Sequence, residues 1–184
     1  MQRREVVRFL GAALTLPFLP RSAERALELG EELHRRTDVS FRTLDPNQRA
    51  LVTELAEMII PETDTPGATT VKVPEFIDLI LTEWANDDER AKFLAGLADI
   101  DAKAAAAGAG VQRFVDLPAS NKHDLVAQLD GMRGDDAGAG HTFGQLKHLT
   151  VFGYFTSKPV QDNVLHTRMF FDGYHGNVPF TPAV

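Results

Sequence analysis

Residues 59–68 constrain the fold most, because they separate two apolar helical patterns with residue types that a helix does not readily accept. One pattern begins at Pro46 and runs into this stretch, and the other leaves it at Pro74. Pro61 lacks a backbone N–H and disfavours helical geometry in the residue before it, so the first helix is predicted to end there. The residues that follow favour tight turns: Asp64, Thr65, Pro66 and Gly67. The sequence therefore predicts two core helices joined by a loop of fixed shape.

Two interpretations of this loop are open from the sequence. An ordered connection between two helices, which is a common structure, is enough to explain these residue types. A loop held in one shape on a rigid scaffold is also suited to contact a partner or a ligand. Under the second interpretation, the residues expected at the interface are Pro61, Asp64, Thr65, Pro66 and Gly67.

Apolar residues at helical spacing recur along the rest of the chain, and no alternating strand pattern is longer than a few residues. After Pro74, a stripe expected to be core contains Phe76, Ile77, Ile80, Leu81 and Trp84. Further helices are predicted for residues 86–107, 118–132, 141–154 and 160–165. The helix at 141–154 is apolar on more than one side, so it is expected at the centre of the domain or against another protein. The fold class predicted is all-α, a compact irregular helical bundle at residues 45–165, preceded by a connector helix and linker at 22–44.

The first 21 residues have the form of a twin-arginine export signal. Arg3 and Arg4 precede an apolar run that includes Phe9 and Leu10. The run is about 11 residues long, whereas a helix needs about 20 to span a bilayer. An ordinary amphipathic N-terminal helix is the alternative. No clean small-x-small cleavage site follows, so removal of the segment stays open.

The C-terminal tail, residues 166–184, is too aromatic for a disordered segment and too rich in Gly and Pro for one helix. It is expected to be extended and to pack in a groove on its own domain or on a partner. The candidates for partner contact in this part of the chain are Phe170, Phe171, Tyr174, Pro179 and Phe180, together with Tyr154 and Phe155.

Composition restricts the chemistry of this 184-residue chain. Its net charge of −7 argues against a nucleic-acid partner, and the absence of cysteine excludes disulfides, thiolate metal sites and cysteine nucleophiles. His141 and His148 are the pair that an independent enzyme or metal protein would use, but no His-Glu-x-x-His motif supports them. No glycine-rich nucleotide loop opens a strand–helix unit. The chain itself is therefore expected to hold no catalytic set, metal or cofactor.

Two neighbouring motifs carry a family resemblance: Ile-Ile-Pro-x-Thr-Asp-Thr-Pro-Gly-Ala from Ile59 and Val-Pro-x-Phe-Ile from Val73. This part of the chain resembles subunit 3 (the small or gamma subunit) of membrane-bound gluconate 2-dehydrogenase and related flavin sugar dehydrogenases. A second matching region lies at residues 153–157 and 174–179. The resemblance covers most of the chain, from the twin-arginine segment onwards.

This resemblance implies a non-catalytic subunit that assists the folding and twin-arginine export of a large catalytic subunit. The large partner would be a flavoprotein of the glucose-methanol-choline type, which carries FAD and oxidises a sugar, sugar acid or glycoside. In complexes of this family a multihaem cytochrome c subunit often receives the electrons, and the complex would lie in the periplasm or on the outer face of the cytoplasmic membrane. The alternatives are an export chaperone that dissociates after delivery and an independent small helical enzyme or metal protein.

Overall fold

The computed structural model describes residues 41–108, 110–132 and 137–166, and within them the regular secondary structure is helical with no strand. The all-α fold class predicted from the sequence is confirmed. The helices are α1 (Pro46–Ile59), α2 (Val73–Glu83), α3 (Asp87–Ala107), α4 (Ala119–Gly131), α5 (Ala139–Thr156) and α6 (Lys158–Asn163), with a 3₁₀ turn at Phe114–Asp116. Among these described residues, none of the helices is both long and apolar enough to cross a membrane.

Local capping sequences fix where two of the helices begin. Asp45 precedes α1, and its carboxylate accepts hydrogen bonds from the backbone N–H of Asn47 and Gln48 at 2.8 and 2.9 Å. The Gln48 side chain accepts in return from the Asp45 N–H at 3.0 Å, which completes a capping box. Asn86 and Glu89 form the same reciprocal pair at the start of α3. These caps satisfy backbone donors that the first turn of a helix leaves free.

Helix α5 lies at the centre of the bundle. Its apolar pattern predicted either this position or contact with another protein. It packs against α1, α2, α3, α4 and α6. Glycine allows two of these contacts to be close. A Cβ on Gly96 of α3 would lie 2.6 Å from Thr142 Cβ, and a Cβ on Gly153 of α5 would lie 2.7 Å from Phe76 Cδ1. The backbones of α3 and α2 therefore approach α5 more closely than larger residues would permit.

A short segment, residues 42–44, is bound to the body by a carboxylate in the middle of α2. The Asp78 side chain is buried and accepts from three backbone N–H groups, those of Arg42 (2.9 Å), Thr43 (3.0 Å) and Leu44 (2.7 Å). The Thr43 hydroxyl bonds that of Thr82 at 2.7 Å. We call residues 42–44 the strap. The strap places Leu44 in the hydrophobic core.

Several predicted helix boundaries differ from those observed by a few residues. Helix α5 begins at Ala139 rather than at 141, and α6 occupies Lys158–Asn163 rather than 160–165. The apolar stripe predicted after Pro74 does form core, with Phe76, Ile77, Ile80 and Leu81 buried and Trp84 packed against them. The predicted connector helix at residues 22–36, the signal segment and the tail beyond His166 lie outside the described residues.

Candidate functional site

The loop between α1 and α2 is held by one carboxylate from the last turn of α1. Glu57 Oε1 accepts from the Glu62 N–H at 2.9 Å, and Oε2 accepts from the Thr69 N–H at 3.1 Å. The Thr69 hydroxyl donates to the same Oε2. Glu57 therefore binds the loop at its beginning and at its end, and draws both sides against the helix.

Hydrogen bonds to Glu57 change the acidity of this side chain. Burial raises its pKa, but the hydroxyl of Thr69 and the backbone N–H groups of Thr69 and Glu62 together outweigh burial, so the pKa lies below the ordinary value of 4.5. The side chain is consequently ionised at neutral pH, in the form that accepts all three bonds.

Backbone contacts close the loop around this carboxylate. The Ala68 N–H donates to Ile60 O at 2.9 Å, across the base of the loop. Gly67 lies against the Glu57 carboxylate, and a Cβ at this position would be only 2.8 Å from Glu62 N. Glycine is therefore required here by space. The loop returns to α2 through Lys72, whose φ of 60° and ψ of 35° are in the left-handed region, a conformation that costs about 1 kcal/mol for a residue with a Cβ.

A second helix holds the loop from the other side. The hydroxyl of Tyr154, near the end of α5, donates to the carbonyl oxygen of Pro66 at 2.8 Å. Tyr154 is buried, and its ring contacts the half-buried Phe155 edge to face, with centroids 5.3 Å apart. The loop is therefore positioned by two helices that are distant in sequence.

The tip of the loop faces outward. Residues 61–64 are exposed, whereas Thr65 and Pro66 are half-buried and Gly67 and Ala68 are buried. The Glu62 carboxylate accepts from the Thr70 hydroxyl at 2.8 Å, and the Asp64 carboxylate accepts from the Thr63 hydroxyl at 3.0 Å. The base of the loop thus belongs to the body, and the tip is presented to the surroundings.

The structure brings together seven of the residues predicted from the sequence as partner contacts: Pro61, Asp64, Thr65, Pro66, Gly67, Tyr154 and Phe155. They form one end of the bundle through the Tyr154–Pro66 hydrogen bond. The other predicted contacts, Phe170, Phe171, Tyr174, Pro179 and Phe180, lie outside the described residues, as do the predicted signal residues Arg3, Arg4, Phe9 and Leu10.

Sequence reasoning did not identify Glu57 or Asp78. Asp78 carried a signal, because it is a single carboxylate inside the apolar run of α2, and a buried carboxylate requires hydrogen-bond donors. Glu57 lies on a half-buried position four residues before Pro61, with no local partner to reveal its role. In both cases most of the donors are backbone N–H groups that only the folded chain brings into place.

The histidine pair of the alternative hypothesis shows no metal site. His141 is half-buried and His148 is exposed. In the part of the chain that the structure describes, no group of three or more His, Asp or Glu side chains is placed to hold a metal ion.

The family model described as Gluconate 2-dehydrogenase subunit 3 matches residues 46–173, well over half of the chain. The matched segment begins with α1 and includes the loop and every helix of the bundle. No curated protein and no solved structure shows significant similarity to the chain. The chain therefore belongs to the gluconate 2-dehydrogenase subunit 3 family, and the resemblance drawn from its motifs is confirmed.

Proposed function

We propose that this member of the gluconate 2-dehydrogenase subunit 3 family is the non-catalytic small subunit of a flavin-dependent sugar or sugar-acid dehydrogenase. The observation that carries the proposal is the family match over residues 46–173, because a subunit of a dehydrogenase complex requires a catalytic partner. In this proposal the small subunit assists the folding of the large subunit and accompanies it through twin-arginine export.

The chemistry of the described residues supports a structural role. The carboxylates of Glu57 and Asp78 accept hydrogen bonds from backbone N–H groups of the same chain. A general acid or base must instead reach a proton on a substrate. These side chains are thus committed to holding a loop and a strap in place.

The proposed partners follow from the same assignment. FAD would be carried by a large subunit of the glucose-methanol-choline type, and haem by a multihaem cytochrome c that accepts the electrons. The small subunit would supply no cofactor ligand. Its acidic balance, with a net charge of −7, fits a protein partner better than a nucleic acid.

The decisive experiment is a pull-down of the tagged chain from its native cell, with an absorbance spectrum and mass identification of the proteins retained. We expect a stoichiometric flavoprotein that oxidises a sugar or sugar acid. Recovery of the chain alone, with activity or bound metal of its own, would overturn the proposal and favour an independent protein that uses His141 and His148. Loss of the large subunit after export would favour a dissociating chaperone.

Export is tested by replacing Arg3 and Arg4 together with lysine. Twin-arginine export depends on the arginine pair, so we expect the complex to accumulate in the cytoplasm. The measurement is dehydrogenase activity in the periplasmic and cytoplasmic fractions. Unchanged periplasmic activity would remove the signal from the proposal and leave the subunit assignment intact.

The aromatic tail is tested by replacing Phe170, Phe171 and Tyr174 together with alanine. We expect the large subunit to be released while the helical body keeps its circular dichroism, because truncated aromatic anchors weaken interfaces strongly. If the helical signal falls instead, the tail belongs to the core of this chain.

A further inference from the structure

The connection between α1 and α2 is longer than the reversal of the chain requires. Helices α2 and α3 are joined through residues 84–86 alone, whereas α1 and α2 are separated by residues 60–72. The longer connection contains the left-handed Lys72 and a glycine at Gly67 that no larger residue can replace without a clash. A shape kept at such a cost indicates a use beyond joining two helices.

The extra length forms an exposed tip on a fixed base. Four contacts hold the base: the Glu57 carboxylate on Glu62 and Thr69, the Ala68 N–H on Ile60, and the Tyr154 hydroxyl on Pro66. The tip, residues 61–64, is exposed, and Glu62 joins it to the base through its N–H on Glu57 and its carboxylate on Thr70. A loop that is already ordered loses little conformational entropy when it binds, which favours tight and specific association.

The chemistry of the tip indicates the kind of surface that it fits. Glu62 and Asp64 are exposed carboxylates, and no Lys or Arg occurs between Ile59 and Val71. The rigid ring of Pro61 stands beside them, and the half-buried Phe155 lies next to the Tyr154 ring that supports the loop. A partner surface with basic side chains around an apolar centre would complement this arrangement.

The strap lies along the half of α2 that is farther from the loop, where it bonds Asp78, Thr82 and Glu83. This helix leads away from the loop from Val73, so Glu83 is about 15 Å farther along its axis at 1.5 Å per residue. Arg42 of the strap forms an ion pair with Glu83 at 2.5 Å. Arg42 and Glu83 therefore lie at the end of α2 away from the loop, and a partner that binds the loop need not contact them.

We propose that the tip of this loop, residues 61–64, is the docking surface for a basic patch on the catalytic subunit, and that Glu57 and Tyr154 are the residues that position it. This inference rests on the proposed function and deepens it, because it assigns the partner contact to one end of the bundle. Neither positioning side chain needs to touch the partner.

The docking surface is tested with two reversals of charge on exposed carboxylates. Asp64→Lys changes the tip, and Glu83→Lys makes the same change at the remote end of α2. The probe is the large subunit that co-purifies with the wild-type chain, and the measurements are the association rate and Kd at low and high salt. For Asp64→Lys we expect an association rate about tenfold lower and a weaker dependence on salt, and for Glu83→Lys a change of less than about twofold.

The positioning role is tested with Glu57→Gln, with Glu54→Gln as the matched control on the same helix, where Glu54 pairs with Lys122 of α4. The amide of Gln offers one acceptor and two donors, so it cannot accept all three bonds that Glu57 accepts. We expect amide exchange at Glu62 and Thr69 to rise at least about tenfold and Kd for the large subunit to weaken about tenfold, with neither effect in the control.

The outcomes separate this inference from the proposed function. If no flavoprotein binds the wild-type chain, the proposed function fails. If the flavoprotein binds and Asp64→Lys and Glu57→Gln both retain the wild-type Kd, the subunit assignment stands and the docking surface is elsewhere. If Glu57→Gln leaves loop exchange unchanged, the positioning role of Glu57 is wrong whatever the affinity.

Discussion

Replacing Asp78 with alanine should destabilise the bundle far more than an ordinary substitution of a charged residue. The carboxylate is 3% exposed and accepts from the backbone N–H groups of Arg42, Thr43 and Leu44. Its removal leaves three donors without their acceptor. A buried donor left unsatisfied costs about 1–3 kcal/mol, whereas water can replace an acceptor that is lost near the surface.

The magnitude follows from the exposure of the three residues. Leu44 is buried, so its N–H should incur the full penalty of about 1–3 kcal/mol. Arg42 is exposed and Thr43 is half-buried, so each of their bonds should contribute about 0.5–1.5 kcal/mol. We therefore expect Asp78→Ala to lower the free energy of unfolding by about 2–6 kcal/mol, a large part of the 5–15 kcal/mol typical of a domain. Asp78→Asn keeps one oxygen and should cost about half as much.

Urea unfolding followed by helical circular dichroism measures this difference. The control is Glu83→Gln, which breaks the ion pair of Glu83 with Arg42 on the surface and should change stability by less than about 0.5 kcal/mol. Amide exchange at Leu44 should also accelerate in the Asp78 variants. If Asp78→Ala unfolds within about 1 kcal/mol of the wild type, then the carboxylate does not hold the strap and the reasoning from buried donors is refuted.

Three further predictions concern the loop and its surroundings. Gly153→Ala should destabilise the protein by about 1–3 kcal/mol in urea unfolding, because the new Cβ would lie 2.7 Å from Phe76. Gly144→Ala on the same helix is the control: its Cβ meets nothing within 4 Å, so it should stabilise the protein by about 0.5–1 kcal/mol. Equal effects of the two substitutions would contradict the packing. Lys72→Gly should stabilise the protein by about 0.5–1 kcal/mol in the same assay, since glycine adopts a φ of 60° without strain. A loss of stability would show that the contacts of the Lys72 side chain outweigh the strain of its backbone. The stabilisation that Glu57 gives should be fully present above pH 4.5 and should be lost as the pH falls through its lowered folded-state pKa. Carboxyl NMR would measure this pKa, and amide exchange in the loop would follow the loss of stability. A Glu57 pKa at or above 4.5 would contradict the hydrogen bonds in the structure.

Local signals were sufficient to predict where α1 begins and, to within about a residue, where it ends. Asp45 and Pro46 form a start signal within adjacent residues, and Pro61 prevents continuation whatever the rest of the chain does. The start of α5 was predicted two residues late, since alanine followed by glycine carries no such signal. Gly140 packs closely against Met132, where an added Cβ would lie 2.6 Å from the Met132 Cβ, a contact that the local sequence does not reveal.

The shape of the loop was predictable, but the reason for its shape was not. Turn-forming residues indicated a fixed connection, and two of them, Pro66 and Gly67, do form the close contacts of its base. The sequence could not show that Tyr154, which follows Pro66 by 88 positions, would donate to that carbonyl. Nor could it distinguish Glu57 from Glu54, which pairs with Lys122 instead.

The two carboxylates that sequence reasoning missed have the same physical role. Asp78 accepts from the strap, and Glu57 accepts from the loop, so each binds non-helical backbone to the bundle. Both side chains add rigidity to surfaces that the bundle presents. Under the proposed function, this rigidity would keep a surface that contacts the catalytic partner in one shape.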